Sequence, residues 1–101
     1  MGAAESIIER HLVEQVERLD GLCCKMGLNG WPDRICILDG GTVFFVECKA
    51  RGGRVSPIQL RVHAKLRSRG FRVFVPYTKY DVEAIVCTMR GVAKQNVESG
   101  A

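Results

Sequence analysis

The amino-acid sequence predicts an α/β domain: a central mixed β-sheet flanked by helices, in the order αβββαβ plus a short C-terminal helix. Three observations carry that expectation. The chain opens on a stretch with helical apolar spacing. Its middle holds two continuous apolar runs separated by Asp39-Gly40-Gly41. A Ser56-Pro57 helix start is then followed by the apolar segment Phe71-Arg72-Val73-Phe74-Val75. The length of 101 residues suits one compact domain, residues 1–101. Its core is modest, since a chain of this size buries only about 60–65% of its unfolded surface. The 47% hydrophobic content fits an ordered chain rather than a disordered one.

Residues 4–19 form the first predicted helix. With successive residues about 100° apart, Ile8, Leu12, Val16 and Leu19 fall in one narrow arc. Glu9 lands between Leu12 and Val13, an acid pointed toward the protein body, whereas Glu14 and Glu17 face away. Two readings of Glu9 stay open: a helix-start charge favoured by the macrodipole, or a functional carboxylate. Gly21 is placed to end the helix, and Leu22 to Met26 form a short strand. Gly27-Leu28-Asn29-Gly30 breaks regular structure ahead of Trp31-Pro32-Asp33, where Pro32 suits the beginning of a strand rather than its centre. Trp31 is read chiefly as a residue that closes the small core, and secondarily as one that stacks on an exposed base.

Arg34 to Leu38 and Thr42 to Cys48 make a β-hairpin whose glycines accommodate positive φ. Their unbroken apolar runs imply cover on both sheet faces, hence helices over the sheet. Arg51-Gly52-Gly53-Arg54 is a flexible basic loop. Ser56 at N-cap, Pro57 at N1 and Gln59 at N3 start a second long helix, which runs to about Arg69 and stops at Gly70. Phe71 to Val75 is the last strand, ended by Pro76. The final helix begins around Asp81 with Val82, Ile85, Val86 and Met89 inward, and the polar tail from Gly91 frays.

The formal net charge is +4, but its distribution says more. Residues 1–20 carry Glu5, Glu9, Glu14, Glu17 and Asp20. From Cys48 to Tyr80 there is no Asp or Glu, while Lys49, Arg51, Arg54, Arg61, Lys65, Arg67, Arg69, Arg72 and Lys79 all lie there. Such a block suits a polyanion surface, with a solvated basic face or a partner-subunit contact as the plainer account. The five cysteines include no CxxC pair, and Cys36 and Cys48 sit inside apolar runs as ordinary buried thiols. No secretory or membrane-spanning segment stands out, so a reducing intracellular setting is the expectation.

Glu47-Cys48-Lys49 is the sharpest local feature. In an extended strand Glu47 and Lys49 point to one face and Cys48 to the other. The hairpin can bring Asp33 to the same end. Two carboxylates there suit a hard divalent cation such as Mg²⁺, and a neighbouring ammonium suits charge developing on a phosphate. Gln59 lies on the sheet-facing side of its helix and is either an active-site amide or simply half of a capping box with Ser56. His63, one turn on, reads as a satisfied edge-of-core imidazole, and His11 has no metal-ligand spacing. Arg51, Arg54, Arg61 and Lys65 are candidate DNA-backbone contacts. Arg34 is a further candidate, or else the salt-bridge partner of Asp33.

Taken together, these segments resemble the VRR-NUC nuclease family of the restriction-endonuclease-like PD-(D/E)xK superfamily. Gly30-Trp31-Pro32-Asp33-Arg34 is similar to its Gly-x-Pro-Asp-Arg segment, Glu47-Cys48-Lys49 to its Glu-x-Lys element, and Ser56-Pro57-Ile58-Gln59 to its Ser-Pro-x-Gln helix start. The resemblance implies a restriction-endonuclease-like core with Asp33 and Glu47 as metal ligands. Glu9 becomes an auxiliary metal ligand or a water-orienting acid, replaced by Glu5 if the helix begins later. Lys49 becomes the catalytic lysine and Gln59 its helper, with Mg²⁺ or Mn²⁺ as cofactor. Compact phage-type members imply a homodimer that cuts branched DNA such as Holliday junctions, in the cytoplasm or, if phage-encoded, the host-cell cytoplasm. The competing expectations are a general or sequence-dependent DNA endonuclease on the same fold, and a noncatalytic nucleic-acid-binding module.

Overall fold

The computed structural model describes residues 2–100. Helix α1 (Ala3–Arg18) leads into strands β1 (Leu22–Lys25), β2 (Arg34–Leu38) and β3 (Thr42–Val46). Helix α2 (Pro57–Ser68), strand β4 (Arg72–Phe74) and helix α3 (Lys79–Glu98) follow. The strands form one mixed sheet in the order β1-β2-β3-β4. The first three pair antiparallel, and β4 lies parallel to β3. That last direction follows from α2, because a helical crossover returns the chain to the end at which the previous strand began.

Alternation along the strands builds two apolar layers. Cys36, Leu38, Phe44, Val46 and Cys48 meet Ile8, Leu12 and Val16 of α1 and Val82, Val86, Met89 and Ala93 of α3. On the opposite face, Phe45 and Val73 meet Leu66 of α2, with Trp31, Ile35, Val43 and Val62 packed around them. Trp31 sits edge-on to Phe45 at a centroid distance of 6.2 Å, so it closes this smaller layer. Phe44 is fully buried and meets Phe74 edge-to-face at 6.0 Å. Burying a side chain of that size contributes about 1.5–3 kcal/mol.

Two glycines are required by what surrounds them. Gly40, in the β2–β3 hairpin, has φ 69°, and a Cβ there would meet Asn96 Cβ at 2.8 Å. Gly30 has φ 81°, and a Cβ would press on Ile58 at 2.9 Å. The expected end of α1 at Gly21 is corrected by one residue: Asp20 takes the left-handed position, with φ 58°. The Asp20 amide donates to the Glu17 carbonyl and the Gly21 amide to the Val16 carbonyl, which completes a Schellman-type stop. Gly21 is held tight for another reason, since a Cβ would meet Leu38 Cδ2 at 2.6 Å.

The C-terminal helix also differs from expectation. It spans 20 residues, and the stretch after Gly91 continues it to Glu98 rather than fraying. It begins earlier because Thr78 and Asp81 form a capping box, which places Asp81 at N3. Its far end is anchored by Ala93 in the core and by Asn96 Nδ2, which donates to Thr42 Oγ1 at 2.7 Å. His11 of α1 and Glu83 of α3 are joined at 2.9 Å. Strands β1, β3 and β4 are each shorter than the apolar runs suggested.

Candidate active site

Beyond Val46 the chain stays extended. The Glu47 amide donates to the Phe74 carbonyl at 2.9 Å and the Lys49 amide to that of Pro76 at 3.1 Å. The strand alternation therefore persists past β3. Cys48 enters the α1–α3 layer, and Glu47 emerges on the α2 side, where Phe45 also points. Asp33 arrives immediately before β2, and its Oδ2 accepts a hydrogen bond from the Cys48 amide at 2.8 Å. This bond pins the start of β2 to the end of β3 and brings the two carboxyl groups together.

The electrostatics reflect that closeness. Glu47 is 2% exposed; burial, then the neighbouring Asp33 charge, push its carboxyl up to about 7. Lys49 opposes this shift, with its Nζ 3.8 Å from Glu47 Oε2. Burial also raises Asp33, against the pull of the Cys48 amide, and Glu9 adds to the rise. The arrangement is an acidic pair that resists carrying two negative charges, beside one ammonium.

The expected residues divide into two groups. Asp33, Glu47 and Lys49 come together as anticipated. Glu9 is buried, but its Oε2 accepts from Arg34 Nε at 2.7 Å. Arg34 also donates to the Cys23 carbonyl at 3.1 Å, so its guanidinium has structural partners, and the acid it pairs with is Glu9 rather than Asp33. The reason is strand parity: Asp33 and Arg34 are consecutive and project to opposite sides of the sheet. Glu5 reaches the other end of the site, where its Oε1 accepts from the Ala50 amide at 3.4 Å. Among the described residues, no three His, Cys, Asp or Glu side chains form a cluster able to hold a metal by themselves.

Gln59 is engaged in the capping box. Its amide N–H donates to Ser56 Oγ at 3.2 Å, and its Oε1 accepts from the Ser56 amide at 2.9 Å. The side-chain NH₂ is the part of Gln59 this leaves for other partners. Arg51, Arg54, Arg61 and Lys65 are exposed, as a phosphate-contacting set requires.

His63 departs from the sequence reading. It is 1% exposed, and its Nε2 has no hydrogen-bond partner among the described residues. It faces Glu47 Oε1 at 3.8 Å, which is equally unpartnered. Burial, then Arg67 and Lys49, hold the imidazole below its ordinary proton affinity. The signal for it was present in the helix spacing: His63 follows Gln59 by one turn and shares its sheet-facing side.

Solved structures and known sequences bear on this arrangement. A solved chain described as a VRR_NUC domain superposes with a TM-score of 0.78 at 34% identity, covering 84% of this chain and 96% of that one. A protein of Acyrthosiphon pisum secondary endosymbiont phage 1, named "Putative nuclease p44", is 45% identical over 74 residues, 70% of this chain and 80% of that protein. The chain belongs to the VRR-NUC nuclease family. No protein-family model matches the chain. Membership fixes the sheet with its flanking helices as the restriction-endonuclease-like core of VRR-NUC proteins. Among the described residues no helix is long and apolar enough to cross a membrane.

Proposed function

We propose that this VRR-NUC chain is a divalent-metal-dependent endonuclease that hydrolyses DNA phosphodiester bonds, with Asp33 and Glu47 holding the cation and Lys49 acting on the phosphate. One observation carries the reading. Two adjoining carboxyl groups, Asp33 and the buried Glu47, sit where ionising both is costly, with Lys49 Nζ 3.8 Å from Glu47 Oε2 offsetting part of the charge. A cation relieves that repulsion. Mg²⁺ commonly takes one or two protein carboxylates and completes its shell with water and phosphate oxygens, so a pair of acids fits it without a third. When bound, such an ion polarises the phosphate and makes attacking water more acidic. Mg²⁺ and Mn²⁺ are the candidate ions.

The chain's own residues supply the rest. Asp33, fixed by the Cys48 amide, and Glu47, fixed on its strand, orient the cation. Lys49 sets a positive charge beside them, where an oxygen becoming more negative in the transition state is stabilised. Arg51 and Arg54 follow Lys49 in sequence and are exposed, as are Arg61 and Lys65; in this reading they take the duplex backbone by phosphate contact. Glu9 supports Arg34 and adds negative potential near Asp33, while Glu5 adds it near Glu47. Both acids belong to the outer part of the site in this reading.

The finer reading is structure-selective cleavage of branched DNA, such as a Holliday junction, by a homodimer. It is supported by the family resemblance and by stoichiometry: each chain offers one Asp33–Glu47–Lys49 cluster, and paired nicks need two. The test compares junction, flap and linear DNA with EDTA, Mg²⁺ or Mn²⁺, alongside sedimentation of the active species. Lys49→Ala is expected to stay folded and lose about 10²–10³-fold in turnover, the scale for removing a transition-state charge partner. Undiminished turnover removes Lys49 from the mechanism. Equal cutting of linear DNA favours a general endonuclease, and binding without metal-stimulated cutting favours a noncatalytic module.

A further inference from the structure

Behind Glu47, on the sheet-facing side of α2, is a polar contact to which the proposed chemistry gives no role. His63 Nε2 and Glu47 Oε1 are both buried, both lack a hydrogen-bond partner among the described residues, and lie 3.8 Å apart. Buried polar atoms are nearly always paired, because water is not there to replace a lost partner. Two orphans turned toward each other are therefore best read as a pair separated by a small rotation of one side chain. Each carboxylate oxygen of Glu47 then has its own neighbour: Oε1 faces His63, and Oε2 faces Lys49.

The chemistry sets the direction of the bond. With a cation bound Glu47 is ionised and only accepts, and a neutral imidazole carries one N–H. The contact is satisfied when that hydrogen is on Nε2. A hydrogen bond to one oxygen restrains how a carboxylate turns, and such outer partners govern how well its other oxygen binds a metal. We infer that His63 is a positioning residue for Glu47: its Nε2–H holds Oε1 and leaves Oε2 turned toward Lys49 and the cation. The consequence for metal affinity rests on the metal-dependent reading above, whereas the His63–Glu47 contact stands on geometry alone.

The experiment measures Mn²⁺ binding by calorimetry without DNA, and the ring ¹⁵N shifts of His63 by NMR with and without Mg²⁺. It uses wild type, His63→Leu, His63→Gln and Glu47→Gln. His63→Leu, which fills the space without a donor, is expected to weaken Mn²⁺ binding about 10–100-fold. His63→Gln, which restores an N–H donor, is expected to recover most of that loss. With Mg²⁺ bound, the wild-type ring should carry its hydrogen on Nε2, and its signal should differ from that without Mg²⁺ and from that in Glu47→Gln.

If Glu47→Gln abolishes Mn²⁺ binding while His63→Leu binds like wild type, the positioning role is overturned and the metal site stands. If wild type binds neither ion, the metal-dependent reading fails, and the ring shifts decide the contact. A His63 signal that ignores Glu47→Gln overturns the contact, and one that moves supports it. If His63→Leu does not fold, the wild-type and Glu47→Gln spectra decide in the same way.

Discussion

At Glu47 the fold places a carboxyl group where ionisation is opposed by burial and by Asp33, and only partly helped by Lys49. Its proton is held up to about 7 in the folded chain against an ordinary value of 4.5. A raised folded value means stability that is fully present below the ordinary value and is lost as pH rises through the folded one. In EDTA, the Glu47 contribution should therefore fall between about pH 4.5 and 7. Glu47→Gln has no such proton to lose, so its melting temperature should rise relative to wild type across that window. Saturating Mg²⁺ should cancel the trend by stabilising the wild-type carboxylate. A difference between the two proteins that stays constant with pH, in EDTA, would remove this account of Glu47. The same residue shows what the sequence made legible. A strand period of two put Glu47 and Lys49 on one side from sequence alone, and the hairpin brought Asp33 to them. The Glu9 partner was not legible, because Asp33 and Arg34 are neighbours and only the packing of α1 says which of them it meets. His63 was missed because a buried imidazole usually has a partner, and here the facing oxygen of Glu47 is brought to it only by the packing of α2 on the sheet.

The elements behave similarly: those with strong local signals match expectation. Helix α2 begins and ends where Ser56, Gln59 and Gly70 place it, with Pro57 at its first turn. The Asp39-Gly40-Gly41 hairpin forms as its glycines require. Helix α3 is the exception: Ala93 carries its apolar stripe into a mostly polar second half, which a long-range contact also ties down. Asn96 makes that contact, spanning from α3 to Thr42 at the start of β3. Thr42 is 3% exposed, so Asn96→Ala leaves its hydroxyl buried without this partner. The expected cost is about 1–3 kcal/mol. A urea titration should show it as a lower midpoint with an unchanged slope. No change in midpoint would return this part of α3 to the fraying tail that its polarity suggested. Because Asn96 lies far from Glu47 in the fold, DNA cleavage per folded molecule should be unaffected.

Across the whole molecule, charge is segregated by element. Five acids lie among the first twenty residues, and the run from Cys48 to Tyr80 holds lysines and arginines with no Asp or Glu. That run carries Lys49 itself, the loop with Arg51 and Arg54, and α2 with Arg61 and Lys65. In the proposed reading that stretch joins Lys49 to the candidate DNA-backbone contacts, while Asp33 and Glu47 precede it in the sequence. Catalytic and backbone-binding roles separate by salt. Each phosphate neutralised on duplex DNA releases counterions and adds about −0.9 to the slope of log K against log salt concentration. Measured with Lys49→Ala in EDTA, so that no strand is cut, Arg51→Ala/Arg54→Ala should flatten that slope by about 1–2. Arg34→Ala should leave the slope as it is, since its guanidinium serves Glu9 and the Cys23 carbonyl instead. Its signature should be lower stability, because it strands a buried Glu9 carboxylate. An unchanged slope in the double variant would move the DNA to another face, and a flattened slope in Arg34→Ala would mean that binding pulls Arg34 away from Glu9.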